Sequence, residues 1–169
     1  MISVYDGDFS NYIRDFIATI GEYIIDHLSA DDRNCALVTA ELTSIYYNRI
    51  EQYPRYRELA DLLHYDQMQY FNTMRYSHLL NHHLSLLNVT EHDLYMPHAM
   101  HMMSFATIDL MCTPEFDMNE LGRLREAVWH AQCMGRIGNL LSTWRREIGE
   151  HDFNSGVFAR AMTAGDLTP

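Results

Sequence analysis

The sequence has no lysine at all, and its positive charge comes from arginine alone. Its 12 basic residues face 23 acidic ones, which gives a formal net charge of -11 at pH 7. An acidic surface repels phosphate backbones and anionic lipid headgroups, so binding to nucleic acid or to a membrane surface is not expected. A phosphorylated substrate would need metal ions between its phosphates and the acidic side chains.

Cysteines and long apolar runs are also scarce. Cys35, Cys112 and Cys133 are odd in number and far apart, which does not suggest a disulfide framework. The residues before position 9 are acidic and form no apolar stretch, and no later run reaches the roughly 18 apolar residues of a membrane span. We therefore expect a cytoplasmic protein with reduced thiols and no membrane-spanning segment.

The four prolines and eight glycines lie mostly between segments of helical periodicity. Pro54 should end one helix, and Thr90 with Asp93 resembles a capping box that opens another, with Pro97 in its first turns. The predicted helices run from Asn11 to Leu28, Asp31 to Gln52, Arg55 to Leu87, Thr90 to Met111 and Asn119 to Glu150, with a short one after Ser155. Period-two alternation is not found, so we predict an all-α fold, an antiparallel helical bundle with residues 1–169 as a single domain.

Three oxygen-bearing side chains form the main candidate site. Asn139, Thr143 and Glu147 are spaced four apart, so successive positions rotate by only about 40° and share one helix face. We call this set the oxygen stripe. An amide, a hydroxyl and a carboxylate are hard ligands that suit Mg²⁺, and the neighbouring Arg146 could hold a diphosphate oxygen. The same spacing also occurs on ordinary helices, so spacing alone does not assign a metal site.

The sequence around the oxygen stripe resembles the second metal-binding motif of class I terpene synthases. At positions 135–161 it reads GRIGNLLSTWRREIGEHDFNSGVFARA. In that motif Asn or Asp is followed at four-residue spacing by Ser or Thr and then Glu, with a basic residue before the Glu. The resemblance implies that Asn139, Thr143 and Glu147 bind Mg²⁺, with three ions in a complete enzyme, and that Arg146 contacts the diphosphate. It also implies part of a class I terpenoid synthase α-domain that converts a C15 or C20 prenyl diphosphate into a cyclic terpene.

The chain departs from this family at three places. Only Asp6 and Asp8 stand near the expected distance of the aspartate-rich metal motif, and they could instead belong to a solvated N-terminus or cap the first helix. No arginine follows Tyr95, so His98 or His101 replaces the family's diphosphate-sensing arginine, or that sensing is impaired. The family's late Arg-Tyr pair is absent, so we expect a partial metal-binding domain.

Other interpretations of the same residues stay open. Tyr95 and Phe105 could line an apolar cavity whose aromatic faces stabilise carbocations, or they could be ordinary core residues. The histidines do not form the paired Glu-x-x-His pattern of a di-iron bundle. The chain could also be an inactive synthase fragment, or a non-catalytic helical interaction module whose exposed apolar faces are covered in a homodimer or by another chain.

Overall fold

The computed structural model describes residues 30–150 and 155–167. Within these ranges the chain forms six α-helices and three short 3-10 turns and no β-strand, which confirms the predicted all-α fold class. The helices are α1 (Ala30–Ile50), α2 (Tyr56–His82), α3 (Val89–Tyr95), α4 (Met102–Met111), α5 (Leu121–Gly149) and α6 (Gly156–Ala164). The turns are Leu84–Leu86, Met96–Met100 and Met118–Glu120. The predicted helix from Asn11 to Leu28 lies outside the described residues.

Three helix ends lie close to the positions that the sequence predicts. α1 ends at Ile50, four residues before Pro54, and the backbone N–H of Asn119 donates to Oδ1 of Asp117 at 2.9 Å just ahead of α5. Ser155 is the N-cap of α6.

In the part of the chain that the structure describes, no helix combines the length and the apolar character needed to cross a bilayer.

The long helix predicted from Arg55 to Leu87 ends earlier, at His82, and a 3-10 turn follows. Leu80 and Leu87 both belong to one buried cluster with Ala159 of α6. In an unbroken helix, positions 80 and 87 would be separated by about 10 Å along the axis. Both leucines nevertheless share one buried cluster, so we attribute the end of the helix to tertiary packing.

The prediction of one continuous helix from Thr90 to Met111 is wrong. The segment forms α3 and α4, which are separated by the 3-10 turn Met96–Met100 and by His101 in the left-handed conformation at φ 59°. Proline at position 97 has no backbone N–H to continue the hydrogen-bond ladder. The capping residue is also shifted, because the N–H of Glu91 donates to Oδ1 of Asn88 at 2.9 Å, and Asn88 Nδ2 returns a bond to the Glu91 carboxylate.

One compact unit contains, among the described residues, 30–61 and 111–114. Among its described residues, the core side chains are Ile50, Leu59 and Met111. The backbone N–H of Arg55 donates to the carbonyl oxygen of Met111 at 3.1 Å, and its guanidinium Nη1 donates to the carbonyl of Thr113 at 3.2 Å. These bonds hold the 111–114 segment beside the start of α2.

The second compact unit contains, among the described residues, 62–110, 115–150 and 155–167. Partly buried Tyr76, Val89, Phe158 and Met162 pack around its cluster of Leu80, Leu87 and Ala159. α3 approaches α6 closely at Gly156, where an added Cβ would lie 2.5 Å from Cε1 of His92. Glycine at this position therefore sets how near α6 lies to α3.

A buried polar network also lies within the second unit. The carboxylate of Asp66, which is 3% exposed, accepts two bonds from Arg125, at 2.7 and 2.9 Å. The hydroxyl of Thr107 lies 2.7 Å from the same carboxylate. The network links α2, α4 and α5 through residues that are 41 and 59 positions apart in sequence.

Candidate metal site

The oxygen stripe lies on the C-terminal half of α5, and two of its three side chains are in direct contact. Oγ1 of Thr143 lies 2.6 Å from Oε1 of Glu147 and 2.8 Å from the backbone carbonyl oxygen of Asn139. A hydroxyl has one proton and two lone pairs. The shorter contact requires Thr143 to donate its proton to the Glu147 carboxylate, and the hydroxyl lone pairs then remain for a cation.

The carboxylate of Glu147 is incompletely satisfied. The residue is only 7% exposed, and its Oε2 is buried with no hydrogen-bond partner. Leaving a buried charged group without its partner costs on the order of 1–3 kcal/mol or more. A cation bound at Oε2 would remove this cost, and the amide, hydroxyl and carboxylate oxygens of the stripe match the ligand preferences of Mg²⁺. The residues present therefore fit the metal that the resemblance implies.

The arginine that contacts the oxygen stripe is Arg136, whereas the predicted contact of Arg146 with a diphosphate stays a prediction. Arg136, one turn earlier on α5, donates from Nη1 to Oδ1 of Asn139 at 3.1 Å. Arg146 is 64% exposed and forms an ion pair with Glu150 at 3.0 Å. The spacing of three residues between Arg136 and Asn139 is a sequence signal for this contact. The resemblance directed attention to the residue before Glu147 instead.

The predicted cavity residues do not meet at the stripe. Tyr95 is 39% exposed and packs edge-on against Tyr76, with ring centroids 5.2 Å apart. Phe105 is 57% exposed, and its ring lies 5.1 Å from that of His101. Both rings leave a large part of their surface open in the described structure, so their role as cavity walls stays a prediction.

The two histidines that could replace a diphosphate-sensing arginine lie in apolar surroundings. The ring of His98 packs against Trp129, and that of His101 stacks on Tyr70 with centroids 4.2 Å apart. Burial lowers the pKa of both imidazoles below the ordinary histidine value. Because burial favours the neutral imidazole, neither ring reproduces the permanent charge of an arginine.

The predicted second metal wall is not tested by the described residues. Asp6 and Asp8 lie outside the described residues, so their role as metal ligands stays a prediction. Within residues 30–150 and 155–167, no three His, Cys, Asp or Glu side chains come close enough together to hold a metal ion. The oxygen stripe brings one carboxylate, and substrate phosphate oxygens or further ligands would have to complete the coordination shell.

Comparisons with known proteins identify no relative of this chain. The chain matches no family model, and neither the curated proteins nor the solved structures contain a match to it.

Proposed function

We propose that this chain carries one metal-binding wall of a class I terpene synthase and takes part in ionising a C15 or C20 prenyl diphosphate. The observation that supports this proposal is the contact between Thr143 and Glu147 together with the unpartnered buried Oε2 of Glu147. An ordinary helix residue at this depth would have its charge satisfied by the protein. The motif-like sequence at 135–161 adds the chemical identity of the metal and the substrate.

Each residue of the stripe has a role in this proposal. Glu147 supplies the negative charge, Thr143 a hydroxyl oxygen, and Asn139 an amide oxygen held in place by Arg136. When bound, Mg²⁺ would neutralise charge on the diphosphate and favour its departure as leaving group. Arg146 would have to leave Glu150 to contact the diphosphate, and their exposed ion pair is weak enough to allow this, at about 0–1 kcal/mol.

The proposal is tested first by metal binding and then by turnover. Mn²⁺, which prefers similar ligands, can be followed by electron paramagnetic resonance with inorganic diphosphate present. We expect Glu147→Gln to weaken Mn²⁺ binding at least tenfold. Glu126→Gln is the matched control, since Glu126 lies on the same helix but is exposed. Equal Mn²⁺ affinity in both variants would remove the metal role of the stripe.

Turnover is measured by incubating the full chain with farnesyl or geranylgeranyl diphosphate and Mg²⁺ and extracting the hydrocarbons. A terpene product that disappears in Glu147→Gln and persists in Glu126→Gln is the expected result. Metal binding without any product would support a single metal wall that needs a second protein segment for catalysis.

A second candidate function is a helical interaction module that pairs with a second copy of the chain. α5 carries apolar side chains at heptad spacing, about 140° around the helix from the oxygen stripe. The exposed members are Met134 at 73%, Ile137 at 55%, Leu141 at 72% and Ile148 at 42%. Light scattering after size exclusion should then show a dimer that Leu141→Glu converts to a monomer. A monomeric wild-type chain would rule out this homodimer.

A further inference from the structure

Two exposed histidines meet at the C-terminal end of α2. His78 and His82 are four residues apart, and their imidazole rings have centroids 4.2 Å apart with an angle of 42° between the ring planes. Positions with this spacing differ by only about 40° around a helix, so both rings stand on one face. We call them the histidine pair. Both residues are exposed, so burial in a core does not account for their contact.

The distance between the two rings is close to that of two imidazoles bound to one metal ion. A Zn–N bond is about 2.1 Å long, and the ring centroid lies about 1.1 Å behind the bound nitrogen. Two rings on one ion therefore have centroids about 4.5 Å apart at a right angle and about 5.2 Å apart at the tetrahedral angle. The observed 4.2 Å is about 0.3 to 1 Å below these values. Small rotations of two exposed side chains can supply this difference.

A hydrogen bond prepares His82 to act as a metal ligand. Its Nδ1 lies 2.9 Å from the backbone carbonyl oxygen of His78. A carbonyl oxygen can only accept, so Nδ1 carries the proton, and the neutral ring has its lone pair on Nε2. Metal-binding histidines are commonly fixed in this way, with one ring nitrogen donating to a carbonyl oxygen while the other binds the ion. The tautomer of His82 therefore suits coordination through Nε2.

The electrostatics of this helix end also favour a cation. α2 ends at His82, and the last carbonyl groups of a helix carry about half a negative charge because they lack partners within the helix. The net charge of -11 attracts cations to the chain as a whole. Arg75, three residues before His78, opposes this attraction, but it is exposed, so water and salt weaken its effect.

We propose that the histidine pair binds one Zn²⁺ ion, with one ring nitrogen from each residue. Imidazole is a preferred ligand of Zn²⁺, which has no geometric preference from its d electrons. Among the described residues no three His, Cys, Asp or Glu side chains form a metal site, so water molecules complete the shell. The ion would link His78 to His82 across the last turn of α2. Because its ligands are nitrogens of α2, this proposal does not rest on the function of the oxygen stripe.

The test is calorimetric titration of the full chain with Zn²⁺ at about pH 7.5, where imidazole is mostly neutral, with the thiols kept reduced. We expect the tightest site to hold one ion per chain and to weaken at least tenfold in His78→Gln and in His82→Gln, because the second imidazole binds intramolecularly once the first is bound. The exposed positions should tolerate both changes.

His83→Gln is the matched control. His83 is exposed and adjacent to the histidine pair, but it does not form a three-residue metal site with it, so the variant should keep the wild-type affinity. Unchanged binding in His78→Gln or His82→Gln, or an equal loss in His83→Gln, would overturn the proposal. One ion per two chains would overturn a shell completed by water.

Two further measurements test whether the ion lies at the end of α2. Arg75→Glu replaces a repelling charge with an attracting one, so Zn²⁺ should bind at least twofold more tightly, and an unchanged affinity would contradict this location. Amide hydrogen exchange at positions 79–83 should slow when Zn²⁺ is added to the wild type but not to His82→Gln, because the ion holds the last helical turn closed. Exchange that Zn²⁺ leaves unchanged in the wild type would show that the two rings do not share an ion.

Discussion

The buried network of Asp66, Thr107 and Arg125 offers the sharpest test of how the second unit is held together. Asp66→Asn keeps the shape of the side chain but removes the charge that receives two guanidinium bonds, at 2.7 and 2.9 Å. Asp66 is 1% exposed at its side chain and Arg125 is 24% exposed. The variant therefore leaves a largely buried arginine without its counter-charge.

Breaking a buried ion pair by removing one partner costs about 3–5 kcal/mol. Water reaches part of the Arg125 side chain, so we expect the lower end, about 3 kcal/mol. With a urea dependence of about 2–3 kcal/mol per molar, the unfolding midpoint should fall by about 1 M. Thr107→Val removes only the neutral donor to the same carboxylate and should cost about 1 kcal/mol.

The assay is urea unfolding followed by circular dichroism, with Arg123→Gln as the control. Arg123 pairs with Glu120 in an exposed position, so its loss should cost only about 0–1 kcal/mol. A double variant with Asp66→Asn and Arg125→Met should lose less stability than the sum of the two single variants, because they share one interaction. If Asp66→Asn lowers the midpoint no more than Arg123→Gln does, the network does not stabilise the unit as reasoned.

Two further predictions concern the packing and the titration of buried histidines. Gly156→Ala should lower the unfolding free energy by about 1–3 kcal/mol, since the new Cβ would lie 2.5 Å from Cε1 of His92. Gly138→Ala, with nothing within 4 Å, should instead raise it by about 1 kcal/mol, and the same sign in both variants would contradict this packing. Burial lowers the pKa of His92, His98 and His101, so the folded chain binds fewer protons than the unfolded chain below about pH 6.5, and stability is lost as the pH falls through that range. The urea midpoint should drop between pH 7.5 and 5.5, and His98→Gln should reduce the drop, whereas an unchanged drop would exclude His98 as a source.

The helices and the oxygen stripe were predictable because they depend on residues that are close in sequence. The periodicity of α1 and α5, the proline at position 54 and the cap at Ser155 are local signals, and the structure follows them. The spacing of Asn139, Thr143 and Glu147 places them on one face in any α-helix. The contacts of Thr143 with the other two residues follow from that spacing.

The tertiary structure decided what depends on distant parts of the chain. The break between α3 and α4, the early end of α2 and the pairing of Arg160 with Asp93 across 67 positions have no local signal strong enough to predict them. The same holds for the unpartnered oxygen of Glu147, because periodicity places a side chain on a helix face but burial depends on which elements pack there. Local spacing therefore determined which groups α5 presents together, and packing determined which of them are desolvated and left without a hydrogen-bond partner.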